Sequence, residues 1–212
     1  MLGAVREGGF IPWDDDADIV IDRVDYSKIV DAIKTDSTIS MEKRGWVDRI
    51  CFKSDHDIED CPTVDLFILD VVPMRKFSKK LKLYLILILQ RMILDNPDYS
   101  KYSTVQKVVA RCLRMVGKLF SNKRLMMWYT KVSLMGSSHP SQFKSIYCDQ
   151  YRYLRNEYDS DILNVLQRHG FEDIELSIMA PYDKYLTQMY GDWRTPPAKA
   201  DRVPQHTKIT TV

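Results

Sequence analysis

The stretch Gly8–Asp22 decides the fold, and it reads Gly-Gly-Phe-Ile-Pro-Trp-Asp-Asp-Asp-Ala-Asp-Ile-Val-Ile-Asp. Two glycines open it, four carboxylates follow within five residues, and Ile19-Val20-Ile21 comes directly after them. A β-branched apolar run favours a buried strand, so the acids are expected at the mouth of a strand that enters the core. Because side chains alternate along a strand, Asp16 and Asp18 should share one face.

Two carboxylates on one face indicate a cation site. They repel each other unless a cation joins them. Mg²⁺ takes oxygen ligands, usually one or two carboxylates together with substrate phosphates and water. A solvated acidic turn is the other interpretation, because the Asp-x-Asp spacing is common at surfaces. The apolar run directly after the acids favours the site.

A second apolar run supplies a third acid. Thr63–Val72 is apolar on both faces and stops at Pro73, which is typical of a fully buried strand. Asp65 lies near its start, where an unpaired charge would be costly. Either an arginine pairs with Asp65, or Asp65 faces Asp16 and Asp18 from the neighbouring strand.

Three carboxylates on two adjacent strands resemble the layout of the nucleotidyltransferase superfamily, and longer motifs make the resemblance specific. Residues Leu2–Asp18 and Arg23–Tyr26 resemble the opening motif of the LicD family. That family includes phosphocholine transferases that decorate bacterial surface glycans, and the fukutin-like proteins of animals. The family's closing motif is resembled by Tyr182–Leu186, by Tyr190–Pro197, and by Arg202 and His206.

The resemblance implies an α+β fold with a small mixed sheet of the nucleotidyltransferase kind. It implies that Asp16, Asp18 and Asp65 are catalytic and bind Mg²⁺ or Mn²⁺, with Asp65 also placed to take a proton. The implied donor is CDP-choline, and the implied acceptor is a hydroxyl of a glycan (lipopolysaccharide, teichoic acid or capsule). A lipid-linked glycan is one of the acceptors that the resemblance implies. The implied substrate-binding residues are Gly3, Arg6, Trp13, Tyr190, Gly191, Asp192, Arg202 and His206.

Two other functions stay open at this point. Relatives transfer other phosphoalditols, such as ribitol phosphate from CDP-ribitol, and the sequence does not fix the head group. Trp13, Tyr190 and Trp193 are candidates for an aromatic box around choline. In the family a helix and a Gly-Thr-Leu stretch precede the opening motif, and Met1 stands where that stretch should end. A truncated, non-catalytic paralogue that binds nucleotide or glycan is therefore the third hypothesis.

Composition sets broad limits. The 212 residues suggest one domain. With 31 basic and 29 acidic residues, the net charge is near zero and does not indicate a class of partner. No nucleic-acid recognition module is visible. The four cysteines lack the spacing of a zinc or redox motif, and no secretory leader is apparent. We expect a cytoplasmic protein with free thiols, working at the inner face of the membrane.

Hydrophobic periodicity predicts the remaining elements. A helical insertion is expected at about residues 75–170, and its helix at 81–94 is apolar nearly all round and should be buried. The predicted helices are 23–34, 81–94, 105–120, 123–135, 159–169 and 182–189; the predicted strands include 48–53 and 171–180; the predicted loops include 35–40, 54–62 and the helix end at Asn96-Pro97-Asp98.

The insertion is also basic. No Asp or Glu lies between Tyr99 and Cys148, while lysines and arginines recur. A solvated helix face explains this pattern. A docking surface for a polyanionic acceptor, or a peripheral contact with anionic lipid headgroups, is the second interpretation.

Overall fold

The computed structural model describes residues 1–14, 16–53, 63–94, 102–149 and 153–202. Its strands are β1 (Ala17–Asp22), β2 (Ile39–Arg44), β3 (Val47–Phe52), β4 (Thr63–Val71), β5 (Phe143–Ile146), β6 (Tyr158–Asp159), β7 (Leu166–Phe171) and β8 (Ile174–Met179). Its helices are α1 (Leu2–Arg6), α2 (Tyr26–Thr35), α3 (Lys76–Ile93), α4 (Thr104–Gly117), α5 (Asn122–Ser133) and α6 (Tyr182–Tyr190), with 3₁₀ turns at Arg23–Asp25 and Lys199–Asp201.

Strand β4 is the centre of a mixed sheet. It pairs in parallel with β1, and antiparallel with β3 over its first half and with β5 over its second half. Strand β2 extends the sheet beyond β3, and β6 extends it beyond β5. Leu66 and Leu69 of β4 are almost fully buried, as expected for a strand that is apolar on both faces. The predicted α+β class with a mixed sheet is confirmed.

The core has two parts joined by one tryptophan. The first lies on the sheet and collects β4, β5 and α6, with Leu186 almost fully buried. The second lies between α3 and α5, around Ile86 and Tyr129. Trp46 packs against both clusters and donates its indole N–H to the Cys148 carbonyl at 3.1 Å. The sheet and the helices are therefore packed as one body.

Buried charges hold the sheet to its helices. Asp70 of β4 is buried and accepts two bonds from the Arg23 guanidinium, at 2.7 and 2.8 Å. Lys82 of α3 is fully buried and donates to the carbonyls of Val71 and Met135. Burial lowers the pKa of Lys82 to about 8. A charge buried this deeply persists only because its donors are satisfied.

Most predicted elements are present, with shifted ends. The helix expected at 81–94 begins already at Lys76 (α3), and the helices expected at 105–120, 123–135 and 182–189 correspond to α4, α5 and α6. The strands expected around Ile19-Val20-Ile21, at 48–53 and at Thr63–Val72 are β1, β3 and β4. The helix expected at 23–34 is divided between a 3₁₀ turn and α2.

One prediction of secondary structure was wrong, and two others have shifted bounds. Residues 159–169 do not form a helix: a turn follows β6, and Leu166–Phe171 is a strand. The strand expected at 171–180 therefore begins only at Ile174, after a two-residue hairpin turn. The loop expected at 35–40 already enters β2 at Ile39. At 159–169, pairing between β7 and β8 overrode a weak local helical pattern.

The predicted loop at 54–62 and the helix end at Asn96-Pro97-Asp98 lie outside the described residues. Across the ranges that are described, no helix is long and apolar enough to cross a membrane. Of the cysteines, Cys51, Cys112 and Cys148 are free thiols.

Candidate active site

A large cleft opens where β1 and β4 begin. Its volume is about 1390 Å³, which exceeds the range typical of a site for one small molecule. Both ends of the chain line it. The lining includes Arg6, Trp13, Asp14, Asp16, Asp18, Asp65, Tyr190, Asp192, Trp193, Thr195 and Pro197.

The acids meet on the floor of this cleft because β1 and β4 run in parallel. Asp18 stands opposite Asp65 in the register of the two strands. The pKa of Asp18 is raised to about 7, first by burial and then by the charges of Asp16 and Asp65. A carboxyl group in this environment favours a proton or a cation over an unscreened charge.

Asp65 has a fixed partner. The Arg49 guanidinium donates to its two carboxylate oxygens at 2.6 and 3.0 Å. Arg49 and Asp65 are opposite each other in the register of β3 and β4. Both interpretations of Asp65 therefore hold at once: it pairs with an arginine, and it faces the acids of β1.

The donor set fits a cation that is shared with a substrate. Within the residues that the structure describes, no group of three or more His, Cys, Asp or Glu side chains is arranged to hold a metal ion. Asp16 and Asp18 supply hard oxygen donors on one strand end. Mg²⁺ commonly uses one or two carboxylates and completes its shell with phosphate oxygens and water.

A loop of glycines precedes the acids and is tightly folded against α1. A Cβ atom on Gly3 would overlap the backbone carbonyl oxygen of Gly9, so only glycine fits there. The amide of Gly9 in turn donates to the Gly3 carbonyl at 3.3 Å. Gly8 has a φ of 71°, which glycine adopts without strain. These contacts fix the path of the chain into Trp13 and the acids.

The tip of the β7–β8 hairpin holds this loop from the other side. The amide of Phe10 donates to the Glu172 carboxylate at 3.0 Å, and the amide of Glu172 donates to the Gly8 carbonyl at 2.8 Å. The rings of Phe10 and Phe171 meet edge to face, with centroids 4.8 Å apart. The glycine loop is thus clamped by a turn that lies far away in the sequence.

Arginines from both motifs stand beside Trp13. The Arg6 and Arg202 guanidinium carbons lie 5.9 and 4.8 Å from the centre of its ring. Arg6 also donates to the Trp193 carbonyl at 3.2 Å, and Arg202 donates to the Pro197 carbonyl at 2.9 Å. Arg6 is also paired with Glu7 at 2.8 Å, so part of the charge that these two guanidinium groups bring beside Trp13 is already neutralised.

Comparison with known proteins agrees with these features. Residues 1–76 match the family model described as LicD/FKTN/FKRP, nucleotidyltransferase domain. The resemblance to the LicD family is confirmed. The chain is also 28% identical to the lipopolysaccharide cholinephosphotransferase LicD of Haemophilus influenzae, over 97% of this chain and 83% of that protein. No solved structure matches the chain.

The LicD match covers the glycine loop, Arg6, Trp13 and all three acids. The closing motif lies beyond residue 76, and the fold brings it to the same cleft. Gly191 ends α6 with a φ of 72°, and Asp192 lies at the rim, where a hydrogen bond from Thr195 lowers its pKa. His206 lies outside the described residues.

The three aromatic candidates of this LicD-like site differ in accessibility. Trp193 is buried, with 6% of its surface exposed, and donates its indole N–H to Asp183 at 3.1 Å. Trp13 is accompanied by two guanidinium groups. Tyr190 is half exposed and lines the cleft. Of the three, Tyr190 presents the most open ring.

Sequence reasoning missed two residues of the site. The alternation of β3 was predicted and gives the face on which Arg49 lies. The pairing of β4 with β1 and β3, which brings Arg49 to Asp65, was not predicted. Glu172 carried no local signal, because it acts from a hairpin whose first strand was taken for a helix. Its φ of 51°, rare for a residue with a side chain, is visible only in the structure.

Proposed function

We propose that this protein transfers phosphocholine from CDP-choline to a hydroxyl group of a surface glycan, lipopolysaccharide in the first instance, with a divalent cation as cofactor. The observation that carries the proposal is the convergence of the opening acids, Asp65 and the closing motif on one cleft. The named activity of the Haemophilus relative supports it. Reaction on the cytoplasmic face of the membrane, by analogy with the family, is part of the proposal.

The chemistry assigns a role to each acid. The acceptor oxygen attacks the phosphorus that bears choline, the bond from that phosphorus to CMP breaks, and CMP leaves. Asp16 and Asp18 would hold Mg²⁺ or Mn²⁺, and a bound cation neutralises charge on the diphosphate and on the departing CMP. Asp65 is oriented by Arg49 and is the candidate to receive the hydroxyl proton. To do so it has to loosen one bond to Arg49.

The guanidinium groups beside Trp13 support a position for the donor. Arg6 and Arg202 attract phosphate oxygens, so we place the diphosphate beside Trp13. The same two charges repel a quaternary ammonium group, so choline belongs elsewhere, and the open ring of Tyr190 offers a cation–π contact for it.

The arginines beside Trp13 also favour a second candidate donor. A neutral polyol such as ribitol needs no aromatic box, and CDP-ribitol would fill the same diphosphate position. The two donors are separated by presenting each to the enzyme with the same acceptor. A Tyr190→Ala variant should lower the rate with CDP-choline and change the rate with CDP-ribitol much less.

The test is release of CMP in the presence of lipopolysaccharide that lacks phosphocholine. Wild type should release CMP only with the metal present. Asp16→Asn and Asp18→Asn should each lose at least 100-fold in rate, because the charge on the leaving group is no longer neutralised. Asp31→Asn is the matched control, since Asp31 is exposed on α2 and pairs with Lys34.

Two results would reject this function. Full activity of Asp16→Asn with metal present would remove the acids from the mechanism. Metal-dependent binding of CDP-choline by titration calorimetry, without any release of CMP to any tested acceptor, would favour the non-catalytic binding protein.

A further inference from the structure

Helix α4 carries an apolar stripe that faces outward. The periodicity of this helix is that of an amphipathic helix, which normally turns its apolar side to the core. Here the stripe is exposed: Val105 is 73%, Met115 is 70% and Leu119 is 77% accessible. The remaining members of the stripe are Val108, Val109, Cys112 and Val116, all exposed.

Small residues explain why the stripe faces outward. Ala110 and Gly117 are buried and share one side of α4. A Cβ atom on Gly117 would overlap the Met92 carbonyl of α3, so the two backbones approach closely there. This close approach fixes which side of α4 packs against α3, and the valines are left on the surface.

The stripe has a basic border. With about 100° of rotation per residue, the basic residues of α4 centre about 130° from the stripe and about 80° from Ala110 and Gly117. They are Lys107, Arg111, Arg114 and Lys118. The sequence contains no Asp or Glu from Ser100 to Tyr147, and none from Val71 to Leu94. Helix α3 adds a second exposed apolar row, Phe77, Leu81, Tyr84 and Ile88.

We propose that α4 docks onto an anionic phospholipid bilayer, with the valine stripe at the boundary of the acyl chains and Lys107 and Lys118 at the lipid phosphates. An apolar face bordered by basic residues is the pattern of helices that lie in a membrane interface. The helix has 14 residues and is about 21 Å long, so it lies on the bilayer.

Charge complementarity selects this occupant over a second copy of the chain. A copy would bring the same basic helix to the contact, and like charges across an interface repel. A negatively charged leaflet attracts juxtaposed lysines and arginines, and each one strengthens binding roughly fivefold, about 1 kcal/mol. The docking does not depend on the transfer reaction, so it is tested without donor or metal.

The experiment is co-sedimentation of the full chain with vesicles. One set is pure phosphatidylcholine, and the other contains one third phosphatidylglycerol. The wild type should bind only the anionic set, and binding should fall as salt is raised. Lys107→Gln/Lys118→Gln should weaken it roughly 25-fold.

A second variant tests the apolar half of the proposal. Val105→Ser/Met115→Ser/Leu119→Ser should abolish sedimentation with anionic vesicles. Val165→Ser is the matched control, because Val165 is 63% exposed and lies outside α4. An environment-sensitive dye on Cys112, attached in a Cys61→Ser background, should shift to the blue when anionic vesicles are added.

Three results would overturn the proposal. The first is a folded wild type that does not bind anionic vesicles at low salt. The second is equally tight binding to dextran sulfate with no shift of the Cys112 dye, which points to a soluble polyanion. The third is a concentration-dependent dimer that the triple serine variant abolishes, which makes the stripe a self-interface.

Discussion

Replacing Asp18 by asparagine tests the electrostatics of the cleft directly. Its pKa is about 7 in the folded chain against an ordinary value of 3.8. The folded chain therefore binds the proton of Asp18 more tightly than the unfolded chain does, and stability is lost when the pH rises and removes this proton. The free energy of unfolding of the wild type should fall from about pH 4 to about pH 7 and then level off. Asparagine does not titrate and removes this fall.

The size of the effect follows from the shift. About three pH units at 1.36 kcal/mol each set a ceiling of about 4 kcal/mol. Asp18 is exposed to the solvent of the cleft, so water and salt screen a large part of this energy. We expect Asp18→Asn to be more stable than wild type by about 1–2 kcal/mol at pH 8, with little difference at pH 4.

Urea denaturation between pH 4 and pH 8 in EDTA measures this difference. Repeating it with excess Mg²⁺ should stabilise the wild type at pH 8 and leave Asp18→Asn nearly unchanged, because the cation then offsets the repulsion among the acids. Asp31→Asn should follow the wild type throughout. A difference between Asp18→Asn and wild type that is the same at every pH would refute the reasoning.

Three further substitutions have defined outcomes. The free energy of unfolding of the wild type should rise by about 3 kcal/mol between pH 8 and pH 10.5, because in that window the unfolded chain binds a proton that Lys82, with its lowered pKa, no longer holds in the folded chain. This rise should disappear in Lys82→Met. Parallel dependences of urea stability on pH for the two proteins would contradict this. Asp70→Asn should lose about 3 kcal/mol, because it leaves the Arg23 charge half buried without its partner; a loss as small as that of the exposed Asp31→Asn would argue against it. Gly3→Ala should lower both stability and CMP release, since its methyl group meets the Gly9 backbone, whereas Gly170→Ala, with open space around it, should be neutral; equal effects in the two alanine variants, measured by thermal melts and the CMP assay, would count against the close approach.

The strands that carry the acids were predictable because their composition leaves little choice. The run at Thr63–Val72 is apolar enough to require burial, and four residues of β4 are buried. Ile19-Val20-Ile21 does form a strand, but its expected burial was wrong, because no residue of β1 is buried and Ile19 is exposed. What the sequence did not contain was the pairing partner of each strand. That Asp18 stands opposite Asp65, while Arg49 reaches Asp65 from the other side, depends on register between distant segments.

Helix α4 illustrates a different limit. Its 3.6-residue pattern was read correctly, but periodicity says only that one side is apolar and not what that side faces. Gly117 has no side chain, and this lets α3 pack closely against a side of α4 other than the apolar stripe. Likewise only the second strand of the β7–β8 hairpin was predicted. Gln167, Arg168 and His169 have no strong preference of their own, and pairing with β8 decides their conformation.

The bonds that close the cleft have a consequence for synthesis of the protein. Arg6 bonds to a residue 187 positions later, and Phe10 to one 162 positions later. A chain leaves the ribosome from its N-terminus, so the acidic opening motif emerges long before the segments that enclose it. Until residue 202 has emerged, the nascent chain carries the clustered carboxylates and Arg6 without Arg202 and the closing motif. Completion of the cleft is therefore among the last steps in the folding of a newly made molecule.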